Sequence, residues 1–562
     1  MRELFMPAPT PVGGRANLVL AGFSGTGKTT TGALAAERLE MPFVDLDQAA
    51  ERRGGRKLSE LFHARGEPWF RELEAELLHD AARLSGTVIA TGGGAVLHPQ
   101  FGALAEKAVT LVLTASPDEI EERLGETSTR PLLAEAPGDR IRQLLAERSD
   151  LYASAGPVLD TSGRGIPEVA ALVADRYRAE SESKSQRVTV AGPRGEYPVV
   201  VTHEAVASLD EILRSQLPHA GRVLVVSDRA VAGSAGAKVE AVLRQAGWEV
   251  IALVVREGEA AKDVAATTEL WDHFQALAVD RGDVVAAVGG GAALDAVGFA
   301  AATWARGVPW VTVPTTILAM ADASIGGKVA IDREGAKNAV GAFHHPQAVI
   351  CDPGLLITVP DAVVRDGLSE VVKCACLASP LLLEALAQAP RLEARLPPHL
   401  SWLIEQAARV KAAYVAVDPE DEGVRQSLNL GHTYAHGLEA ASEFGISHGQ
   451  AVALGLRAAA RLGGGLGLTG PEIAPQINSA LDRLGFPSEL PGLDRDRIRA
   501  ALLLDKKRRG GEGAWVVPAP AGATLVRGIG LELALEPLWE LLQGPPADPP
   551  FPIQFKPVEV SR

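Results

Sequence analysis

Short apolar runs alternate with stretches of helical periodicity from Asn17 onward. Asn17-Leu-Val-Leu-Ala predicts a strand, a glycine-rich turn follows, and Thr29 to Leu39 repeats at helical spacing. Phe43-Val44-Asp45, Val88-Ile89-Ala90 and Val109 to Leu113 predict further strands. Strands that are apolar throughout, with helices between them, predict a parallel sheet covered on both faces. This block ends near Arg178, and the small polar run Ala179 to Gln186 reads as a linker. A second α/β block follows, with strands at Arg222 to Ser227, Glu249 to Val255, Asp283 to Val288 and Val308 to Val313. After Pro353 the pattern turns to long helices without obvious strands, down to about Leu542, and 544–562 reads as a Pro-rich tail, extended or disordered. No internal repeat is evident.

With 562 residues the chain has room for two or three large domains, and 47% hydrophobic against 22% charged residues is ordinary globular composition. A net charge of −15 argues against a general nucleic-acid or anionic-membrane binder. Three cysteines, Cys351, Cys374 and Cys376, cannot build a disulfide framework, which fits a reducing compartment. The longest stretch free of Asp, Glu, Lys and Arg, Leu84 to Ala105, is broken by Gly92, Gly93, Gly94 and Pro99, and so does not read as a membrane span. Met1 to Arg15 lacks the apolar core of a signal peptide. The expectation is a soluble, cytoplasmic protein.

Gly22-Phe-Ser-Gly25-Thr26-Gly27-Lys28-Thr29 matches the P-loop pattern and lies between a strand and a helix. In such a loop backbone amides wrap the phosphates, the lysine bridges them, and the threonine hydroxyl ligates magnesium. ATP or GTP is the implied nucleotide, held by Gly25 through Thr30. Val44-Asp45-Leu46-Asp47 ends the next strand; one carboxylate can reach magnesium through water while the other orients an attacking hydroxyl. Taken singly, each arginine of this block reads as a solvated surface charge.

Taken in order, Asp45-Leu46-Asp47, Trp69-Phe70-Arg71-Glu72-Leu73-Glu74, Thr91-Gly92-Gly93-Gly94, Arg130-Pro131-Leu132-Leu133 and Glu147-Arg148 through Tyr152 make residues 16–178 resemble shikimate kinase. The resemblance implies that Asp47 activates the shikimate 3-hydroxyl and that Arg71 and Arg148 grip its carboxylate. It also implies that Gly93 admits the ring, that Arg130 steadies the transferring phosphoryl from a lid, and that Arg164 lies on the adenine side. Gluconate or a nucleoside monophosphate as acceptor would not predict this combination.

In the second block, Gly289-Gly290-Gly291 follows a strand and opens a helix, a weak dinucleotide signal alone. The helical part carries Asn429-Leu-Gly-His432-Thr-Tyr-Ala-His436 and then His448. Three histidines with an upstream glutamate suit zinc with an open fourth position. His432 and His436, at i and i+4, could ligate together on one helical face.

With Pro314-Thr315-Thr316, Gly326-Gly327-Lys328, Gly335-Ala-Lys337-Asn338 and Glu370-Val-Val-Lys373, these motifs resemble 3-dehydroquinate synthase. Residues 187–352 are expected as a Rossmann-like NAD-binding domain and 353–543 as a mostly helical domain. The resemblance implies zinc, or cobalt, on Glu370, His432 and His448, with His436 left as a catalytic polar group. It implies NAD+ contacts at Glu257, Gly258, Glu259, Lys262, Gly291, Ala292, Ala293, Leu294, Asp295, Thr315, Thr316, Lys328, Lys337, Leu355 and Thr358. Substrate contacts fall on Arg306, Asp322, Lys328, Asn338, Lys373, Lys411, Arg425, Asn429, His436 and Lys506. Such a cationic pocket inside an acidic protein suits a sugar acid bearing both phosphate and carboxylate. Departures from the family pattern are Glu257 for aspartate, Leu294 for glycine, Val329 for threonine and Ser369 for alanine.

The implied protein is a two-function shikimate-pathway enzyme using MgATP, NAD+ and zinc, a homodimer through its synthase part. The competing readings are another sugar-phosphate cyclase or a polyol dehydrogenase for the C-terminal half, and a nucleotide-sensing regulatory module for the N-terminal half. Lys411, Arg425, Asn429 and His436 together favour dehydroquinate; Asp47, Arg71, Arg130 and Arg148 together favour a kinase.

Overall fold

A computed structural model describes residues 1–124, 137–184, 187–193, 195–334, 336–388, 397–443, 445–490, 492–508, 514–520 and 522–542. The chain forms two compact units, Gly13–Gln186 and a second made of Met1–Val12 with Arg187–Arg562. The first unit is thus inserted into the second in chain order.

The inserted unit is built on a five-stranded sheet in the order Phe43–Asp45, Val88–Ala90, Asn17–Ala21, Ala108–Thr114, Val158–Asp160, with every pair parallel. Leu18, Leu20, Val109 and Leu111 are buried against Ala35 and Leu39 on one helix and Val169, Val173 and Tyr177 on another. Asn17–Ala21 is central, with neighbours on both sides, so its C-terminal end opens on the crevice where ligands bind in such sheets.

The second unit has a seven-stranded sheet ordered Glu249–Val255, Arg222–Asp228, Val284–Gly289, Trp310–Pro314, Val349–Cys351, Gly195–Val201, Val188–Gly192, parallel except for the last pair. Two apolar clusters, one around Val225, Ala286 and Val311 and one around Leu224, Val285 and Trp310, hold helices to its opposite faces. A helical part follows, including Asp361–Ala378, Pro397–Val417, His432–Ala441 and His448–Gly465. The α/β architecture expected from the sequence, P-loop sheet, Rossmann-like sheet and helical part, is present.

Two local expectations are corrected. Ala179–Lys184, expected as linker, is the end of the helix Ile166–Lys184. That run has neither Gly nor Pro to stop a helix, and Lys184 reaches the Glu106 carbonyl at 3.3 Å. The region after Pro353 contains strands Ala514–Ala519 and Gly522–Arg527, and Arg2–Pro7 pairs antiparallel with the latter. Within Arg2–Pro7 only Met6 is buried, so its hydrophobic pattern is too thin to reveal a strand whose partner lies at the far end of the chain. The Pro-rich tail lies outside the described residues. Among those residues no helix is long and apolar enough to cross a membrane, and all three cysteines are free and buried.

Candidate active sites

The P-loop leaves the end of the central strand, and Gly27, with φ of 90°, caps the helix Lys28–Leu39 in a left-handed conformation that favours glycine. Lys28 Nζ folds over the loop and donates to the Gly22 and Phe23 carbonyls, both at 2.8 Å. The Thr29 hydroxyl donates to Asp45 Oδ2 at 2.6 Å. Asp45 also caps the helix Leu46–Gly54 by accepting from the Gln48 amide. Thr29 and Asp45 together form the hydroxyl–carboxylate pair that a hydrated magnesium ion needs beside a phosphate chain.

Asp47, in the first turn of that helix, lines a pocket with Leu46, Phe70, Glu74, Gly92 and Ala95. The glycine triplet explains how so many polar groups converge there. A Cβ on Gly92 would lie 2.8 Å from Asp47 Oδ1, one on Gly93 2.9 Å from Ser24 Oγ, and one on Gly94 2.5 Å from Arg71 Nη1. The Gly93 carbonyl accepts from Arg148 Nη1 at 3.1 Å and from the Tyr152 hydroxyl at 2.7 Å, which aims both at the same edge. Arg71 pairs with Glu74 and Glu67, so its guanidinium is held by two carboxylates. Glu74, quoted with Arg71 in the sequence motif, also accepts from His98 at 3.3 Å.

Arg164, in the turn before the helix Ile166–Lys184, pairs with the exposed Glu168 in its first turn at 2.7 Å. Arg123, not singled out before, donates to Thr161 Oγ1 at 3.1 Å and reaches the Gly25 carbonyl at 3.5 Å. Arg130 lies outside the described residues.

In the second unit most of the NAD-assigned groups follow the C-terminal ends of the strands Glu249–Val255, Val284–Gly289 and Trp310–Pro314. Gly290 precedes the helix Gly291–Thr303, whose first turn holds Ala292 through Asp295, and the Thr315 amide bonds the Gly289 carbonyl at 2.9 Å. Thr316 accepts from the Ala319 amide. The turn Gly258–Lys262 follows Glu257, and its Lys262 donates to Asp295 at 2.7 Å and to Asn338. Burial pushes the Asp295 carboxyl up to about 6 in spite of Lys262. Asp228, at the end of its strand, was missed; it accepts from the Gly258 amide at 3.2 Å. Leu294 is buried in the core, and Leu355 packs against the opposite apolar cluster on the turn Pro353–Thr358, which ends at Thr358. Lys337 and Asn338 share the strand Ala336–Phe343.

The helical part brings Glu370, His432 and His448 together, with one ligand atom of each within 4.8 Å of the others. Close helix crossing makes this possible. Gly431, left-handed at φ 79°, precedes His432, and a Cβ on Gly455 would lie 2.1 Å from the Gly431 carbonyl. Ser447 closes a capping box with Gln450 at the start of the helix that His448 opens, an arrangement contributing about 1 kcal/mol. Gly449 lets this helix end touch the Asp366 backbone, where a Cβ would clash at 2.3 Å. A carboxylate and two imidazoles so placed fit a zinc ion with a free position. Glu439 on the His432 helix accepts from His448 Nδ1 at 3.3 Å, leaving Nε2 turned to Glu370 at 3.4 Å. His436 is exposed and outside the triangle, its ring 6.0 Å from that of His432.

Burial alone would raise the Glu370 pKa, but Lys373 and the two histidines outweigh it and hold the carboxylate well below its usual range. Lys373 bridges Glu370 and Asp322, and Lys411 binds the other Asp322 oxygen. The two carboxylates overcome burial and raise the Lys373 pKa. Burial, helped by Arg425 and Lys373, lowers that of Lys411 against the pull of Asp322. Arg425 is buried, donating to the Gly326 carbonyl at 3.2 Å, and Asn429 ends the same short turn, Val424–Asn429. Lys328 pairs with Asp421, another residue not singled out before. Arg306 stands apart. It is exposed, with φ of 63°, and among the described residues pairs with none of these groups. Lys506 falls on the helix Arg495–Arg508, with its side chain outside what the structure describes.

In the absence of metal, Glu370 and Glu439 outweigh the effect of burial and push the His448 pKa up to about 10 from 6.5. A raised pKa means that this proton stabilises the metal-free fold below roughly pH 6.5 and that the contribution fades as pH rises through about 10. Metal needs the neutral ring, so apparent metal affinity is expected to climb about tenfold per unit between roughly pH 7 and 9. Isothermal calorimetry in buffers of different ionisation heat checks this as release of about one proton per metal bound. A pH-independent affinity would refute it.

The comparisons divide along the same two units. The shikimate kinase family profile matches residues 24–177, and those of the 3-dehydroquinate synthase N-terminal and C-terminal domains match 252–366 and 367–508. A 2-epi-5-epi-valiolone synthase from Streptomyces hygroscopicus subsp. jinggangensis, solved with NAD+ and Zn2+ bound, is 28% identical with a TM-score of 0.56, covering 61% of this chain and 96% of its own. The 2-epi-valiolone synthase of Actinosynnema mirum is 40% identical over 311 residues, 54% of this chain and 81% of its own. The bifunctional shikimate kinase/3-dehydroquinate synthase of Thermotoga maritima is 32% identical over 496 residues, 87% of this chain and 93% of its own. A relative that spans both units in the same order settles the family: this chain is a member of the bifunctional shikimate kinase/3-dehydroquinate synthases.

Proposed function

We propose that the inserted unit phosphorylates the shikimate 3-hydroxyl from MgATP and that the second unit converts 3-deoxy-arabino-heptulosonate 7-phosphate to 3-dehydroquinate and phosphate. The observation that carries the synthase reading is the Glu370–His432–His448 triangle sharing Lys373 with Asp322, a metal-ligand set joined to buried cations. Zinc and NAD+, when bound there, supply polarisation of a substrate hydroxyl and reversible uptake of its hydride. The chain's own residues do the rest. Lys328, Lys373, Lys411, Arg425, Asn338 and Asn429 bind the phosphate and carboxylate and fix which hydroxyl faces the metal ligands. Asp322 keeps the two lysines in register, and His436, near the triangle but outside it, exchanges protons with the substrate. Glu257 through Lys262, Gly291 through Asp295, Thr315, Thr316 and Lys337 hold the dinucleotide.

On the kinase side Lys28 and the loop amides hold the phosphates, and Thr29 with Asp45 holds magnesium. Asp47 accepts the hydroxyl proton, Arg71 and Arg148 bind the carboxylate, and Arg130 meets the transferring group. Asp47→Asn keeps the shape but loses the charge that orients the acceptor, so the shikimate-dependent rate is expected to fall by about 10²-fold or more with ATP affinity unchanged. Steady-state kinetics on the variant check it; normal turnover would displace the acceptor site from Asp47.

The deciding assay gives the purified chain the heptulosonate phosphate with NAD+, and separately shikimate with MgATP. Phosphate release without net NADH, and ADP formation that requires shikimate, are the expected results. ATP turnover indifferent to shikimate would point to a nucleotide-sensing module, and net NADH formation to a polyol dehydrogenase. The valiolone synthases among the relatives make other sugar phosphates the control substrates for the second unit. Homodimerisation through the synthase unit is part of the same proposal, and sedimentation equilibrium tests it.

A further inference from the structure

The segment that precedes the inserted kinase belongs to the synthase unit, and it reaches the elements that carry the proposed substrate cations. Met6 is the one buried residue of Arg2–Pro7, only 4% exposed, and is paired in register with Ala523. The Ser427 hydroxyl, itself fully buried, donates to Met6 Sδ at 3.7 Å. Ser427 is the middle of the short turn Val424–Asn429, with Arg425 two residues before it and Asn429 two after. Farther along, the Pro11 carbonyl accepts from Arg409 Nη2 at 3.4 Å, and Arg409 lies on the helix Pro397–Val417 that also carries Lys411. The strand sits tightly in place. A Cβ on Gly522 would lie 2.4 Å from the Met6 carbonyl oxygen and 3.0 Å from the Ala8 amide nitrogen.

We propose that Met6 is a positioning residue of the synthase: through Ser427 it sets the turn that presents Arg425 and Asn429 to substrate. A turn this short holds its conformation through what packs beneath it, because its own backbone bonds are few. Met6 fills the space under Ser427 with a polarisable thioether that accepts the hydroxyl. The kinase therefore interrupts the synthase rather than preceding it, and the synthase site draws on residues from both sides of the insertion.

The inference rests on Arg425 and Asn429 binding the heptulosonate phosphate, and the test separates the two claims. In the full-length chain, Met6→Ala and Gly522→Ala are each expected to raise KM for the heptulosonate phosphate at least about fivefold, with KM for NAD+, zinc content and shikimate kinase activity unchanged. Met6→Leu, which refills the space, restores KM to within about twofold of the parent. Unchanged KM in both Met6→Ala and Gly522→Ala, beside a raised KM in Arg425→Ala, overturns the proposal and leaves the substrate assignment standing. Unchanged KM in Arg425→Ala overturns the assignment and the proposal with it. Loss of zinc and NAD+ affinity together with turnover in Met6→Ala would mark a merely structural strand and also overturn it.

Discussion

Lys28→Ala is expected to abolish shikimate phosphorylation, lowering its rate by about 10³-fold or more, while dehydroquinate formation stays within about twofold of the parent. The first half follows from the loop. In the absence of nucleotide the Lys28 ammonium bonds the Gly22 and Phe23 carbonyls, poised over the cradle where transferring phosphates would place their negative charge. Alanine keeps the loop backbone but removes the one positive charge at its centre. The second half follows from the cores. The P-loop unit is held by its own cluster around Leu18, Leu111 and Val173, and the sheet of the second unit by clusters of its own. Coupled assays for ADP and for phosphate release on the same preparation decide it. A variant that lost both activities with its circular dichroism intact would show that the two sites are not independent.

The second large effect concerns the metal. His448→Ala is expected to lose bound zinc on dialysis against a weak chelator, and His436→Ala to retain it while turnover falls by about 10²-fold or more. His448 forms the triangle with Glu370 and His432, and Glu439 fixes its ring through Nδ1. His436 projects from the same helix as His432 but stands exposed, outside the triangle. Elemental analysis of the dialysed proteins reads metal content without reference to activity. Zinc lost from His436→Ala and kept in His448→Ala would mean that the i, i+4 pair is the metal site.

Both predictions turn on distinctions that the sequence carries to different depths. The P-loop is local. Gly22 to Thr29, a strand before it and a helix after it are contiguous, so backbone geometry and chemistry are written in one stretch and legible there. The continuous apolar strands announced the parallel P-loop sheet and a second α/β block for the same reason, since burial on both faces leaves a direct mark on composition. The glycine triplet at Gly92 to Gly94 was visible as a motif, but its purpose was not. Only the fold shows that Asp47, Ser24 and Arg71 each occupy the space where one glycine lacks a Cβ.

What the sequence determined by itself was the order of the two α/β units, the phosphate cradle, and the stock of histidines, carboxylates and cations available to the second site. What tertiary structure decided was which of them meet. Glu370, His432 and His448 come together because Gly431 and Gly455 let two helices touch and Ser447 caps one of them, conditions spread over residues 370 to 455. Asp228, Asp421 and Arg123 were passed over because each acts through a neighbour distant in the chain, and Glu439 because its partner His448 lies on the next helix. The first strand was passed over for the most physical reason of all. A strand with one buried side chain has almost no hydrophobic pattern, and its hydrogen-bond partners lie more than 500 residues away, so only the folded sheet can reveal it.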